Sequence, residues 1–213
     1  MVPHGCPPSQ PGGGGALFFL PALPLWLLHR AWAATVHRRG RVVNARFLPR
    51  EFSAEGNAIY VFWHAKAFMV PYYSQSSRMA GLTLLDWKNQ VFDRICRLYR
   101  IRTVPVRSDA GSTRALETLL NQGYHIALAL DGPRGPAGVI RPGALYLARK
   151  TGRPIICVNI RIERSFRFRR RWDRLEIPLP FSRGTGTLSN PIYVTDQNEE
   201  EARRKILENL PDL

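Results

Sequence analysis

Cysteine is scarce in this chain: only Cys6, Cys96 and Cys157 occur, far apart and with no Cys-x-x-Cys pair. Three separated thiols cannot build a disulfide framework or a zinc ligand set, and they fit a reducing compartment. Other absences narrow the chemistry. The sequence has no Walker-type glycine loop, no Gly-x-Ser-x-Gly elbow and no His-Glu-x-x-His helix, so it lacks the signatures of common nucleotide-binding proteins, serine hydrolases and zinc proteases. No metal or bound cofactor is expected. Acidic residues are also few, 16 Asp and Glu against 31 Lys and Arg, for a net charge of +15. A surplus of that size calls for negatively charged partners: anionic lipid headgroups, an acidic carrier protein, phosphorylated substrates or nucleic acid.

Long apolar runs are missing too. The longest, Ala16 to Leu28, is interrupted by Pro21 and Pro24 and falls short of the roughly 20 residues that a straight membrane span needs. It reads as an interfacial anchor continuing towards Val36, with His37-Arg38-Arg39 at headgroup level; packing on the domain's own core is the alternative. A signal peptide is the weaker reading, because no basic segment precedes the run. Residues 1–15, rich in Pro and Gly, are expected to be a disordered tail, residues 16–40 a membrane-interface segment, and residues 41–213 one α/β domain.

Within that domain, apolar β-prone runs alternate with helical spacing. Ala58–Trp63, Thr103–Val106, Tyr124–Leu130 and Ile155–Ile160 read as strands. Helices are expected around Val91–Tyr99, from near Thr113 to Gly123, over Ala144–Lys150 and over Asn198–Asn209, the last with its acids early and its bases late. This order implies an α/β fold, a single-domain sandwich with a largely parallel central sheet flanked by helices. Thr187–Val194 reads as a last strand at an edge, and Trp172–Ser182 as a Pro-rich extended stretch.

Two strand ends carry chemistry. The run Ala58–Trp63 ends on His64, and Tyr124–Leu130 ends on Asp131-Gly132-Pro133-Arg134-Gly135-Pro136. In open α/β sheets ligands collect beyond the carboxyl ends of strands, so His64 and Asp131 are expected to face one crevice. A free imidazole titrates near pH ~6.5 and so is available as a general base around neutrality; a purely structural imidazole is the competing reading. Arginine presents a planar fork suited to phosphate, and Gly132 and Gly135 let backbone N–H groups approach a ligand. A Pro-Gly turn without a ligand is the simpler account of the same loop.

These segments occur in a telling order: Trp63-His64, Arg102-Thr103-Val104-Pro105-Val106-Arg107-Ser108, Asp131 to Pro136, Gly143 to Ala148 with Thr151 to Ile156, and Trp172-Asp173-Arg174 with Ile177-Pro178-Leu179-Pro180-Phe181-Ser182. In this the chain resembles the lysophospholipid acyltransferase-like superfamily, in particular the branch named domain of unknown function 374, over roughly residues 25–194. The resemblance implies a glycerolipid acyltransferase-like fold. It also implies transfer of an acyl group from a thioester, on coenzyme A or acyl carrier protein, to a hydroxyl of a lysophospholipid or related lipid precursor. The setting it implies is the cytoplasmic face of a membrane. His64 would be the base, and Arg107, Ser108 and the Asp131–Gly135 loop, through Arg134 above all, would bind the acceptor's phosphate.

One element of the family pattern is changed. Where the superfamily's well-known members place an acid four intervening residues after the histidine, this chain has Met69. In the branch it resembles the acid comes later, and Asp86 in Leu84-Leu85-Asp86-Trp87-Lys88-Asn89 is the nearest carboxylate. Asp86 is therefore assigned the role of orienting His64, with helix capping as its alternative. The stretch Arg161–Arg174 interleaves arginines with Phe166, Phe168 and Trp172, a pattern suited to a membrane surface or to RNA, or else a solvated basic loop. A non-catalytic lipid- or RNA-binding protein on the same fold is the alternative to an enzyme.

Overall fold

The computed structural model describes residues 22–37, 41–48, 56–74, 78–83, 87–106 and 109–211. Asp86, Arg107 and Ser108, and the expected tail at residues 1–15, lie outside them. The elements in chain order are α1 (Ala22–His37), β1 (Arg41–Val43), β2 (Ile59–Phe62), α2 (Val70–Ser74), β3 (Met79–Thr83), α3 (Trp87–Leu98), β4 (Arg102–Pro105), α4 (Asp109–Asn121), β5 (His125–Ala129), α5 (Gly143–Thr151), β6 (Ile155–Ile162), β7 (Ser165–Arg167), β8 (Glu176–Pro178), β9 (Gly184–Leu188) and α6 (Glu199–Asn209). A 3-10 turn at His64–Met69 joins β2 to α2.

Seven strands form one sheet in the order β1-β9-β6-β2-β5-β3-β4, and β7 pairs with β8 in a separate ribbon. The strands β6, β2, β5, β3 and β4 run parallel; β9 is antiparallel to β6, and β1 is parallel to β9. The α/β expectation, with its largely parallel sheet between helices, therefore holds. All four residues of β2 are buried, as befits a central strand covered on both faces. Because side chains alternate along a strand, Ile59 and Val61 join Leu116, Leu120, Leu145, Leu147 and Ile206 from α4, α5 and α6 on one face. Tyr60 points to the other, among Cys96 of α3, Tyr99 in the turn after it and the partly buried Trp26 of α1.

Several features differ from the sequence reading, among them the start of α3, which lies at Trp87 rather than near Val91. The last strand is Gly184–Leu188, not Thr187–Val194, and it sits inside the sheet between β6 and β1 rather than at an edge. Pro191 cannot donate to a ladder, so beyond Leu188 only an isolated bridge, Ile155 to Ile192, remains. Helix α4 begins at Asp109, four residues before the expected start. In α6 the bases Arg203, Arg204 and Lys205 lie mid-helix, paired with acids one turn away, rather than in its last turn.

Helix α1 carries Pro24 in its first turn, where a missing N–H costs no hydrogen bond. Among the described residues no helix is long and apolar enough to cross a membrane. Gly152 ends α5 with a left-handed φ of 67°, a conformation glycine adopts at little cost.

Candidate active site

The carboxyl ends of β2 and β5 lie side by side, so the residues that follow them meet. The backbone N–H of His64 donates to Asp131 Oδ1 at 3.0 Å. Sequence reasoning anticipates this shared crevice, and the hydrogen bond fixes the point where the chain leaves β2. Asp131 is wholly buried, and its second oxygen, Oδ2, has no hydrogen-bond partner. Burial pushes its carboxyl above the ordinary range, outweighing the N–H of His64, which favours the charged form. Trp63, one residue earlier, is clamped by its own indole N–H, which donates to the carbonyl of Leu210 at the end of α6, 2.9 Å away.

The imidazole of His64 finds its acid elsewhere. Nδ1 lies 3.0 Å from Asp173 Oδ2, 109 residues away in the chain. Asp173 is 0% exposed, while the His64 side chain remains 31% exposed. A buried carboxylate can only accept, so Nδ1 carries the hydrogen and Nε2 is left as the basic nitrogen. Nε2 makes no hydrogen bond with a described residue.

Asp173 is itself held by a full set of donors. Arg171 grips it with both arms of its guanidinium, Nε to Oδ1 at 2.9 Å and Nη2 to Oδ2 at 2.8 Å, and the N–H of Leu175 adds a third bond at 3.2 Å. Burial alone would raise the Asp173 pKa. The bidentate Arg171 bond, the Leu175 N–H and the neighbouring positive charge outweigh it and hold the carboxyl below its usual range. The acid is thus ionised and aimed at Nδ1, an arrangement in which it orients the imidazole and favours the imidazolium that forms on proton uptake. Asp86, assigned this place from the sequence, lies outside the described residues.

The loop after β5 packs against the same pair. Trp172 lies with its ring centroid 5.2 Å from that of His64, and a Cβ built on Gly135 would sit 2.4 Å from Trp172 Cε3. Gly135 also has φ +69°, so glycine is required here both for backbone conformation and for the indole's approach. Arg141 donates from its guanidinium to the Gly135 carbonyl and braces the loop from outside.

A groove of about 810 Å³ opens beside this loop. Its walls include Asp131, Gly132, Pro133, Arg134 and Gly135, with Arg114, Ser112 and Thr113 of α4 opposite and Leu116, Leu128, Leu130 and Leu147 as an apolar floor. Arg134 is exposed and makes no ion pair among the described residues. Such a cleft accommodates an anionic head and an apolar body together. A second space, about 50 Å³ and almost wholly apolar, lies on the opposite side of the sheet between Tyr60, Phe62, Val70 and Val158; its polar side chains, Ser74 and Tyr60, donate to the backbone carbonyls of Val70 and Phe47.

Among the described residues no cluster of His, Cys, Asp or Glu could hold a metal ion. Cys96 and Cys157 are buried free thiols, each with its pKa pushed up by burial to about 12, and neither is reactive in that form.

No protein-family model matches the sequence. An uncharacterized protein of Rickettsia prowazekii (strain Madrid E) is 24% identical over 170 residues, which cover 75% of this chain and 78% of that one. The crystal structure of the 1-acyl-sn-glycerophosphate acyltransferase PlsC from Thermotoga maritima superposes with a TM-score of 0.56 at 14% identity, over 88% of this chain and 78% of that one. At that identity the likeness is one of fold: the chain shares the α/β architecture of that acyltransferase.

Proposed function

We propose that the protein is a peripheral membrane O-acyltransferase, and that it moves an acyl group from a coenzyme A or acyl carrier protein thioester to a hydroxyl of a lysophospholipid or related lipid precursor. The observation that carries this reading is the half-buried His64 imidazole held by the buried Asp173 carboxylate, with Nε2 of His64 left open at the carboxyl end of the sheet. A neutral hydroxyl is a poor nucleophile. His64 Nε2 would take its proton as the hydroxyl oxygen attacks the thioester carbonyl, and the imidazolium would then protonate the departing thiolate. Arg134, with Arg114 across the groove, would hold the acceptor's phosphate, and the apolar floor would take its chain. On this reading the chain would belong to the branch named domain of unknown function 374, whose motif order it resembles, with Arg107 and Ser108 as further phosphate ligands. The site would work at the cytoplasmic face of a membrane.

The test is thioester consumption by the purified protein with vesicles presenting a panel of lipid hydroxyl acceptors. Acceptor-dependent release of free thiol should fall by about 10²–10⁴-fold in His64→Ala, the usual worth of a positioned base. Thiol release that persists undiminished in His64→Ala would overturn the assignment.

A further inference from the structure

The segment Arg161–Glu176 holds seven arginines against three acids, Glu163, Asp173 and Glu176. Asp173 and Glu176 are buried and spent on internal pairs. Within it Ser165–Arg167 pairs with Glu176–Pro178 as the two-stranded ribbon β7–β8, with Phe166 opposite Ile177 and Arg167 opposite Glu176. Alternation gives the ribbon two unlike faces. The inner face docks on the domain: Glu176, which also accepts from Ser165 Oγ across the ribbon at 2.5 Å, bonds Lys66, and the Trp32 indole donates to the Pro178 carbonyl at 2.7 Å. The outer face has Phe166, Phe168, Ile177 and Leu179, and three of these are well exposed: Phe166 57%, Phe168 37% and Leu179 42%. Phe181, 58% exposed, follows. Around this apolar face stand Arg164, Arg169, Arg170 and Arg174, all exposed and without an acidic partner among the described residues.

We propose that this outer face is a docking surface for an anionic lipid bilayer. An apolar patch rimmed by unpaired cations gains twice at such an interface, by burying aromatic and aliphatic side chains at the acyl boundary and by placing arginines among headgroup phosphates. Single-stranded RNA fits less well. Base stacking needs open ring faces, whereas Phe166 and Phe168 pack edge to face with centroids 4.9 Å apart, and the aliphatic Ile177 and Leu179 offer nothing to stack on. The surface is continuous with the catalytic pair, because the connection between its two strands carries Trp172 and Asp173. It also continues into α1, tied to it through Trp32 and through Thr35, whose hydroxyl accepts the N–H of Phe181 at 3.0 Å. Docking would seat the groove at headgroup depth. The inference rests on the acyltransferase reading only for its purpose; vesicle binding is read without turnover.

Co-sedimentation with phosphatidylcholine vesicles, with and without phosphatidylglycerol, tests it on the full chain. Wild type should partition onto anionic vesicles. Arg164→Gln/Arg169→Gln/Arg170→Gln should lose about 100-fold in partitioning, since each arginine near an anionic surface contributes roughly tenfold or less. Phe166→Ser/Phe168→Ser should lose binding even at low salt, with circular dichroism and melting temperature confirming the fold. Acyl transfer to a short-chain, water-soluble acceptor should be unchanged in both variants. Vesicle binding that survives both sets of substitutions, or tighter binding to an RNA oligonucleotide than to vesicles, would overturn the docking surface while leaving the catalytic reading intact. Failure of transfer with vesicle binding preserved would do the reverse.

Discussion

Lys66 and Glu176 form a buried ion pair two residues beyond His64 and three beyond Asp173. The two side chains are 4% and 2% exposed, so both charges are out of water and each relies on the other. The pair runs beside His64–Asp173 and makes a second tie between the 3-10 turn and the ribbon. The ribbon thus delivers its acid to the imidazole by docking on a neighbouring ammonium.

The two partners of this tie are not equivalent. Glu176 also accepts from Ser165 and sits 3.3 Å from Arg167, whereas the Lys66 ammonium bonds only Glu176 among the described residues. Breaking a buried pair costs about 3–5 kcal/mol. We predict that Glu176→Gln, which strands the ammonium, lowers urea stability more than Lys66→Met does, and that Lys66→Met/Glu176→Leu lies above both. Equal losses in the two single variants would refute the asymmetry.

For the base and its acid, Asp173→Asn should reduce turnover by about 10³-fold, because an amide donor facing Nδ1 favours the tautomer whose Nε2 carries hydrogen. Asp86→Asn should cost far less. Steady-state thiol release by the two variants, measured together, decides which carboxylate orients His64. A larger loss in Asp86→Asn would return the role to the residue first expected from the sequence.

Acid should loosen this region first. Asp173 and Glu176 both titrate below the ordinary carboxylate range: burial opposes this, but Arg171 in the one case and Lys66 in the other prevail. Their contribution to stability is complete above the unfolded carboxylate pKa of about 4 and is lost as pH falls through the depressed folded values. Asp131 has the opposite sign, since its raised value lets the folded state hold a proton more readily. Urea midpoints measured from pH 6 down to pH 2 should therefore fall less steeply in Glu176→Gln than in wild type. They should fall more steeply in Asp131→Asn.

Two glycines with nearly the same φ should respond differently to alanine. Gly152, at φ +67°, has nothing within 4 Å of a built Cβ, so Gly152→Ala should cost only the left-handed strain, about 1 kcal/mol. Gly135→Ala, at φ +69°, adds a collision with the Trp172 indole and should lower both melting temperature and turnover. Gly135→Ala/Trp172→Ala should recover part of the melting temperature. Its failure to do so would mean that the backbone, not the ring, sets the requirement.

The strands β2, β4, β5 and β6 were legible as short apolar runs, whereas β1, β3, β7 and β8, short and broken by Gly, Pro or charge, were not. His64 and Asp131 stood out for the same reason, as polar residues closing such runs. Asp173 did not. Its distance from His64 in the chain hides their contact, and it lies in a stretch dominated by arginine, where composition suggests a solvated loop. A signal was nonetheless present: a lone carboxylate between Trp172 and Arg174, within a cluster of cations that could shield it. Lys66 and Glu176 gave even less warning, since a lysine in a turn and a glutamate in a Pro-rich stretch ordinarily face water. The shifted last strand reflects tertiary packing over propensity: Gly184, a poor strand former, leaves room for Val36 of α1, whose Cγ1 would be 3.2 Å from a Cβ there.

The long separation between His64 and Asp173 also orders events in time. The base emerges from the ribosome on the strand that becomes the middle of the sheet, and that strand acquires its neighbours only when β5 and β6 have been made. The acid arrives later still, on a ribbon that can dock only after β6 is in place. A nascent or prematurely ended chain would thus hold a histidine without its carboxylate, and the pair would close only once the chain had been made past Asp173.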